Sequence, residues 1–134
     1  MPQDGNREPR RTILVVDNEA IVLEFISTSL GMAGYQVVTA TSAEQATQVF
    51  SRYASDLALI FVEIALPRKS GADFVSNLPT LEPRIPVIFI TSFGEREIEG
   101  PLRYDFPILR KPFKHSDLKN AVQTTALQIG DSVS

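Results

Sequence analysis

The strongest constraint on the fold is an uninterrupted apolar run at residues 57–62, which lies between Asp56 and Glu63. A run of this kind, without alternating polar residues, is typical of a strand that is buried on both faces. Such a strand needs helices above and below a mostly parallel sheet. Because binding and reaction sites in open parallel sheets collect beyond the carboxyl ends of the strands, Glu63 is the first candidate functional residue.

Composition indicates one ordinary globular domain. The chain has 134 residues, of which 43% are hydrophobic and 22% are charged, and this is enough to bury a core. The net charge of −3 argues against nucleic acid as the main partner. Cysteine is absent, which excludes disulfides and thiolate chemistry. The sequence contains no signal peptide and no apolar run long enough to cross a bilayer, so we expect a cytoplasmic protein without membrane contact.

The chain alternates between strand and helix patterns. The predicted strands are residues 13–16, 36–40, 57–62, 86–91 and 107–110. The predicted helices are residues 20–33, 43–53, 71–78, a brief one at 95–99, and 117–129. Ser42 and Ser116 are the predicted N-caps, and Gly34 stands where a left-handed residue would end the first helix. Because consecutive parallel strands need helical crossovers, we predict an α/β domain with a doubly wound, five-stranded parallel sheet and helices on both faces.

Four polar residues each follow the last apolar residue of a different predicted strand. They are two acids, a hydroxyl and an amine, namely Asp17, Glu63, Thr91 and Lys111. In a parallel sheet all of these strand ends open on the same edge, so the side chains are expected to meet there. The sequence therefore predicts a functional site at this edge.

Together these segments resemble a bacterial response-regulator receiver domain. The resemblance rests on residues 15–19, 63–67 with Gly71, 86–91 and 111–113. It implies the flavodoxin-like sheet order 2-1-3-4-5 and a receiver domain at residues 12–129, between a flexible N-terminal tail at 1–11 and a C-terminal tail at 130–134. It also implies two-component (phosphorelay) signalling, in which a histidine kinase passes a phosphoryl group to an aspartate at the end of the third strand.

Glu63 occupies the phosphoacceptor position of that family, four residues before Pro67. Its extra carbon–carbon bond carries the carboxylate about 1.5 Å further than an aspartate would. A misplacement of about 1 Å can slow a reaction on the order of 10²-fold, and phosphoryl transfer depends mainly on placement and charge. We therefore expect phosphorylation to be impaired or bypassed in this chain.

A second departure concerns the metal site. The resemblance makes Asp17, Glu63 and the backbone carbonyl of Ala65 the ligands of Mg²⁺, beside an acidic pocket formed by residues 17–19. Asn18 stands where the second acid of that pocket belongs, and its amide removes a charge that Mg²⁺ prefers. Glu19 is a substitute ligand, although it would approach from a different direction. We therefore expect Mg²⁺ binding to be weak or absent.

The resemblance places the switch and phosphoryl-contact positions at Thr91, Ile108 and Lys111. The family has an aromatic side chain where Ile108 stands, so the usual coupling between hydroxyl and aromatic ring is not expected. Lys111 is the natural ion-pair partner of Glu63. Two interpretations of that pair remain open: it imitates the charge arrangement of the phosphorylated state, or it only neutralises the charges of a decayed site.

Three functions are compatible with the sequence. We favour a stand-alone receiver that is not an enzyme and acts by protein contact, with a histidine kinase or another signalling protein as partner. The family's contact face is built from the fourth helix, the fifth strand and the fifth helix. An alternative is a receiver that still switches by phosphorylation. A less favoured alternative is a phosphatase-like enzyme with an aspartate nucleophile, for which Glu19 has the spacing of the second acid but the remaining motif and the cap domain are missing.

Overall fold

The structure is a computed structural model that describes residues 11–78, 85–92 and 106–129. Strands and helices alternate as the sequence predicts. They are β1 (Thr12–Val16), α1 (Ala20–Met32), β2 (Gln36–Ala40), α2 (Ala43–Tyr53), β3 (Leu57–Glu63), α3 (Gly71–Ser76), β4 (Val87–Thr91), β5 (Ile108–Arg110) and the C-terminal helix (His115–Ile129). A 3-10 turn at Ala54–Asp56 joins α2 to β3. The brief helix predicted at residues 95–99 lies outside the described residues.

The predicted helix ends are confirmed in two places and wrong in one. Ser42 is the N-cap of α2, and its hydroxyl accepts a 3.1 Å hydrogen bond from the Gln45 N–H. Gly34 has a φ of 97°, the left-handed conformation that ends a helix without strain in glycine. Ser116, however, lies inside the C-terminal helix, which begins at His115. The capping contact there comes from the Asp117 carboxylate, which accepts a 2.8 Å hydrogen bond from the Lys114 N–H.

The five strands form one parallel sheet in the order β2-β1-β3-β4-β5, which confirms the predicted topology. The register pairs Val16 with Val62, and Glu63 with Ile90. Reversal of the strand order beside β1 creates a crevice at the carboxyl edge, since the crossovers leave that point on opposite faces. The ends of β1, β3 and β4 thus lie side by side at the place where the site was predicted.

Two buried apolar layers cover the sheet, as expected for a doubly wound fold. Leu14, Val16, Ile60 and Val62 face α2 and α3, and their neighbours along the strands face α1 and the C-terminal helix. Within β3 every apolar residue except the half-buried Ala58 is buried, which confirms the interpretation of residues 57–62 as a strand covered on both sides. This packing holds β3 in place, and its last residue, Glu63, lies at the carboxyl edge of the sheet.

The sequence places Phe25 on one helical face with Val22 and Ile26, which predicts a core position, and this prediction is wrong. The buried face of α1 is formed by Leu23, Ile26, Ser29 and Leu30, and the Phe25 side chain is 40% exposed. Its ring instead contacts Phe113, with 6.1 Å between the ring centroids. The helix is apolar on nearly every side, so its periodicity did not define a single inward face.

None of the helices within the described ranges combines the length and apolarity that crossing a membrane requires.

Candidate functional site

Asp17 follows β1 and connects the sheet to α1. Its backbone N–H donates to the carbonyl of Ala40 at the end of β2, at 3.1 Å. Its Oδ1 accepts a 2.9 Å hydrogen bond from the N–H of Glu19, the residue that begins the turn into α1. The Asp17 carboxylate is fully buried. Because Oδ1 is held by this hydrogen bond, the second oxygen, Oδ2, faces Lys111.

Glu63 is the last residue of β3, and both of its carboxylate oxygens are engaged. Oε2 accepts a 2.8 Å hydrogen bond from the N–H of Ala65, two residues further along the chain. Oε1 lies 2.7 Å from the Nζ of Lys111. The side chain is only 5% exposed, so these contacts take the place of hydration that the charged group would otherwise lose.

Lys111 follows β5 and joins three carboxylates. Its Nζ lies 3.0 Å from Asp17 Oδ2, 2.6 Å from Glu19 Oε1 and 2.7 Å from Glu63 Oε1. The Lys111 side chain is 13% exposed, whereas Glu19 is 56% exposed and closes the outer side of the cluster. The structure therefore contains the predicted ion pair between Glu63 and Lys111, within a larger cluster that also includes both acids of the β1–α1 turn.

The cluster favours the charged form of Lys111. Burial alone would lower the pKa of its ammonium, because the charged form loses hydration. The contacts with Glu19, Glu63 and Asp17 outweigh that effect and raise the Lys111 pKa above its ordinary value of 10.5. Three carboxylates around one ammonium still leave an excess of negative charge, so the cluster depends on Lys111 to remain compact.

Of the remaining predicted residues, Thr91 and Asn18 lie at the same edge, whereas Ile108 begins β5 and lies away from it. Thr91 is buried at the end of β4, and its carbonyl accepts a 2.8 Å hydrogen bond from the Lys111 N–H. Asn18 is exposed beside Asp17. Ile108 is half-buried on β5, pairs with Phe89 of β4 and packs against the layer that contains α2 and α3. The aromatic ring nearest to Ile108 in sequence, Phe106, contacts the Phe89 ring with a centroid distance of 6.1 Å.

The residues as they are arranged do not fit a Mg²⁺ ion. Asp17 Oδ2 is buried, and although it lies at ion-pair distance from Lys111 it has no hydrogen bond of proper geometry, which is the one feature suited to a cation. Mg²⁺ needs octahedral oxygen ligands at about 2.0–2.1 Å, but the Lys111 ammonium lies between the carboxylates. The other Glu63 oxygen, Oε2, is already engaged, because it accepts a hydrogen bond from the Ala65 N–H. Among the described residues, no set of three His, Cys, Asp or Glu side chains is arranged to hold a metal ion.

Gly71 supports Glu63 through close backbone contact. Its N–H donates to the carbonyl of Ile64 at 2.8 Å, and a Cβ atom on residue 71 would lie 2.2 Å from the Glu63 carbonyl oxygen. We expect Gly71→Ala to lower the free energy of unfolding by about 1–3 kcal/mol, because backbone must move to remove this overlap. Urea denaturation measures the change.

Gly31 provides the matched control for that substitution. It lies in α1, and a Cβ atom there would meet nothing within 4 Å. We expect Gly31→Ala to leave stability unchanged or to raise it by up to about 1 kcal/mol, because alanine is the better helix former. An equal loss in both variants would contradict the importance of close approach at Gly71.

The sequence did not predict two parts of this site. The sequence predicts Glu19 only as a member of the acidic pocket, a substitute metal ligand or the second acid of a phosphatase, yet its carboxylate lies 2.6 Å from the Lys111 Nζ. Its position two residues after Asp17, in the loop that leaves the carboxyl end of β1, was the available signal. The contact between Gly71 and Glu63 depends on the angle at which α3 leaves β3, and glycine alone did not reveal it.

Comparison with known proteins gives a consistent assignment. The family model described as response regulator receiver domain matches residues 13–123. A phosphate regulon transcriptional regulatory protein, PhoB of Pseudomonas aeruginosa, is 35% identical over 112 residues, which cover 81% of this chain and 48% of that protein. The two-component response regulator PhoP of the same organism is 31% identical over 109 residues, covering 80% and 48%. The chain thus spans about half the length of these curated relatives.

The sheet also superposes on solved structures. A response regulator receiver domain protein from Clostridium thermocellum is 25% identical, with a TM-score of 0.72, and the match covers 88% of this chain and 98% of that one. A likeness of this extent agrees with the observed strand order.

Proposed function

Because this chain belongs to the response regulator receiver domain family, we propose that it signals by contact with another protein and that Glu63 is a permanent carboxylate rather than a phosphoryl acceptor. Receiver domains of two-component systems are generally signalling switches, and they interact with histidine kinases and other signalling proteins. The function proposed for this chain keeps the interaction and removes the dependence on phosphorylation.

The engagement of both Glu63 oxygens is the observation that carries the proposal. An acceptor needs an oxygen that can approach phosphorus in line with the leaving group. Here one oxygen faces Lys111 at 2.7 Å and the other accepts from Ala65 at 2.8 Å. Attack on phosphorus would require breaking one of these contacts in a pocket with little access to water. The glutamate side chain would also hold its carboxylate one bond further from the backbone than an aspartate does.

The ion pair supports an active-like state over a decayed one. Glu63 and Lys111 join the ends of β3 and β5, and Lys111 is bonded through its backbone to Thr91 of β4. A negative group at position 63 that draws Lys111 inward is the charge arrangement expected of a phosphorylated receiver. We propose that this arrangement presents the contact face, which includes β5 and the C-terminal helix, to a kinase or another signalling partner without a phosphodonor.

Incubation with acetyl phosphate and Mg²⁺, followed by intact mass measurement, tests this function. We expect wild type to remain unmodified and Glu63→Asp to gain one phosphoryl group. In the variant a carboxylate oxygen bonds to phosphorus, the bond from phosphorus to the acetyl oxygen breaks, and acetate leaves. A phosphoryl group on wild type would show that Glu63 or another residue accepts it and would overturn the proposal.

A further inference from the structure

We propose that the Lys111 ammonium is the resident cation of the acidic pocket and keeps divalent metal ions out of the wild-type protein. The pocket is formed by Asp17, Glu19 and Glu63, and the three carboxylates lie 3.0, 2.6 and 2.7 Å from the Lys111 Nζ. All three carboxylates thus lie within ion-pair distance of the one ammonium, which carries the positive charge that a metal ion would otherwise supply. The inference rests on the proposed function in one respect, that Glu63 stays an unmodified carboxylate.

The two buried carboxylates are divided between the backbone and the lysine. Asp17 uses Oδ1 for the Glu19 N–H, and Glu63 uses Oε2 for the Ala65 N–H. The oxygens left on each, Asp17 Oδ2 and Glu63 Oε1, both face Lys111. A metal ion would have to take these same oxygens at shorter distances, and it would then lie against a positive charge that cannot withdraw without leaving three acceptors.

Asp17 Oδ2 shows that the pocket keeps an unused capacity for a cation. The atom is buried and lacks a hydrogen bond of proper geometry, even though Lys111 is at ion-pair distance. Burial of an acceptor without a directed donor is unfavourable unless a positive charge lies beside it. The lysine compensates the charge without filling the position fully, so removal of Lys111 should leave a site that attracts a divalent cation.

A built-in cation changes what the pocket responds to. Lys111, which follows β5, ties together Asp17 after β1 and Glu63 at the end of β3, and these are the two side chains that a bound metal would otherwise link. The arrangement of the edge, and of β5 beside it, is then independent of the concentration of Mg²⁺. The chain would present one state of its contact face under all metal conditions.

Calorimetric titration with Mg²⁺ and Mn²⁺ tests the exclusion. We expect no saturable binding to wild type, and saturable binding to Lys111→Met, in which the three carboxylates have lost their cation. Lys119→Met is the matched control, because Lys119 is exposed on the C-terminal helix and should bind no metal after substitution either. Equal binding by wild type and Lys111→Met would overturn the inference.

Lysine reactivity gives a second measurement that needs only wild type, in case Lys111→Met does not fold. Labelling with an amine-reactive acetylating reagent, read by peptide mass mapping, should be far slower at Lys111 than at the exposed Lys114 and Lys119. Addition of Mg²⁺ should not change that difference. Faster labelling of Lys111 with Mg²⁺ would mean that the metal displaces it, and the inference would be wrong.

These outcomes are separate from those of the phosphorylation test, since neither uses a phosphodonor. Wild type that binds Mg²⁺ but gains no phosphoryl group would overturn the exclusion and leave the proposed function standing. Wild type that shows no saturable metal binding yet gains a phosphoryl group would overturn the proposed function. The metal exclusion, which is measured without a phosphodonor, would stand.

Discussion

The Lys111→Met variant is expected to lose about 3 kcal/mol of unfolding free energy at neutral pH. Removing one partner of a buried ion pair costs about 3–5 kcal/mol, because the other charge stays buried without compensation. Here Asp17 and Glu63 would both be left in that condition, at 0% and 5% side-chain exposure. Glu19 is 56% exposed and returns to water, which places the expected loss at the lower end of the range. Urea denaturation of wild type and variant measures the difference.

The pH dependence of that difference identifies its cause. The cluster raises the Lys111 pKa above 10.5, so the contribution of Lys111 is complete below pH 10.5 and is lost as the pH rises above it. The difference in unfolding free energy between wild type and Lys111→Met should therefore become smaller in strongly alkaline solution.

Substitution of an exposed lysine provides the comparison. Lys119→Met changes the same side chain to the same residue on the surface of the C-terminal helix. We expect its effect to stay within about 0.5 kcal/mol, as for most surface substitutions. If Lys111→Met were as harmless as Lys119→Met, the cluster would not contribute to stability.

The fold could be predicted because its main signals are local and agree with one another. The apolar run of β3, the capping serine of α2 and the glycine that ends α1 each specify one element through backbone chemistry or burial. Alternation of strands and helices then leaves few topologies, since parallel neighbours need right-handed crossovers. The observed order β2-β1-β3-β4-β5 follows from these rules together with the resemblance at the strand ends.

Side-chain direction was the part that local patterns did not specify. Phe25 is apolar at a helical spacing, which predicts a core position, but α1 is apolar on several sides and tertiary packing selects the face of Leu23 and Ile26. Ser116 has the chemistry of an N-cap, and the helix nevertheless begins at His115, two residues before the predicted start, with Asp117 as the capping side chain. Both differences amount to a choice among neighbouring positions that only the packed structure makes.

The candidate site shows the same division. Strand-end logic placed Asp17, Glu63, Thr91 and Lys111 at one edge, and the structure brings them there. What the sequence did not specify was the number of carboxylates that share Lys111, because Glu19 reaches the ammonium from the loop before α1 rather than from a strand. The third carboxylate turns a simple ion pair into a cluster with its own cation, and the properties of the pocket depend on that difference.

Residue 18 should control how fast a restored acceptor reacts. We expect Asn18→Asp, added to Glu63→Asp, to raise the rate of phosphoryl gain from acetyl phosphate on the order of 10²-fold over Glu63→Asp alone. The shorter side chain at position 63 withdraws from Lys111, which loses one of its three carboxylate contacts. The added carboxylate at position 18, beside Asp17, then supplies the charge that Mg²⁺ prefers to an amide. A time course of intact mass for both variants measures the ratio.

Asn18→Asp alone separates the roles of the two positions. It keeps Glu63, whose oxygens remain on Lys111 and Ala65, so we expect no phosphoryl gain. A phosphoryl group on Asn18→Asp alone would mean that the amide at position 18 prevents phosphorylation of wild type and that the length of the Glu63 side chain does not. A double variant no faster than Glu63→Asp would mean that Asn18 has no part in the chemistry. Because Asn18 is exposed, the Asn18→Asp substitution should not disturb the buried layers that hold the strand ends together.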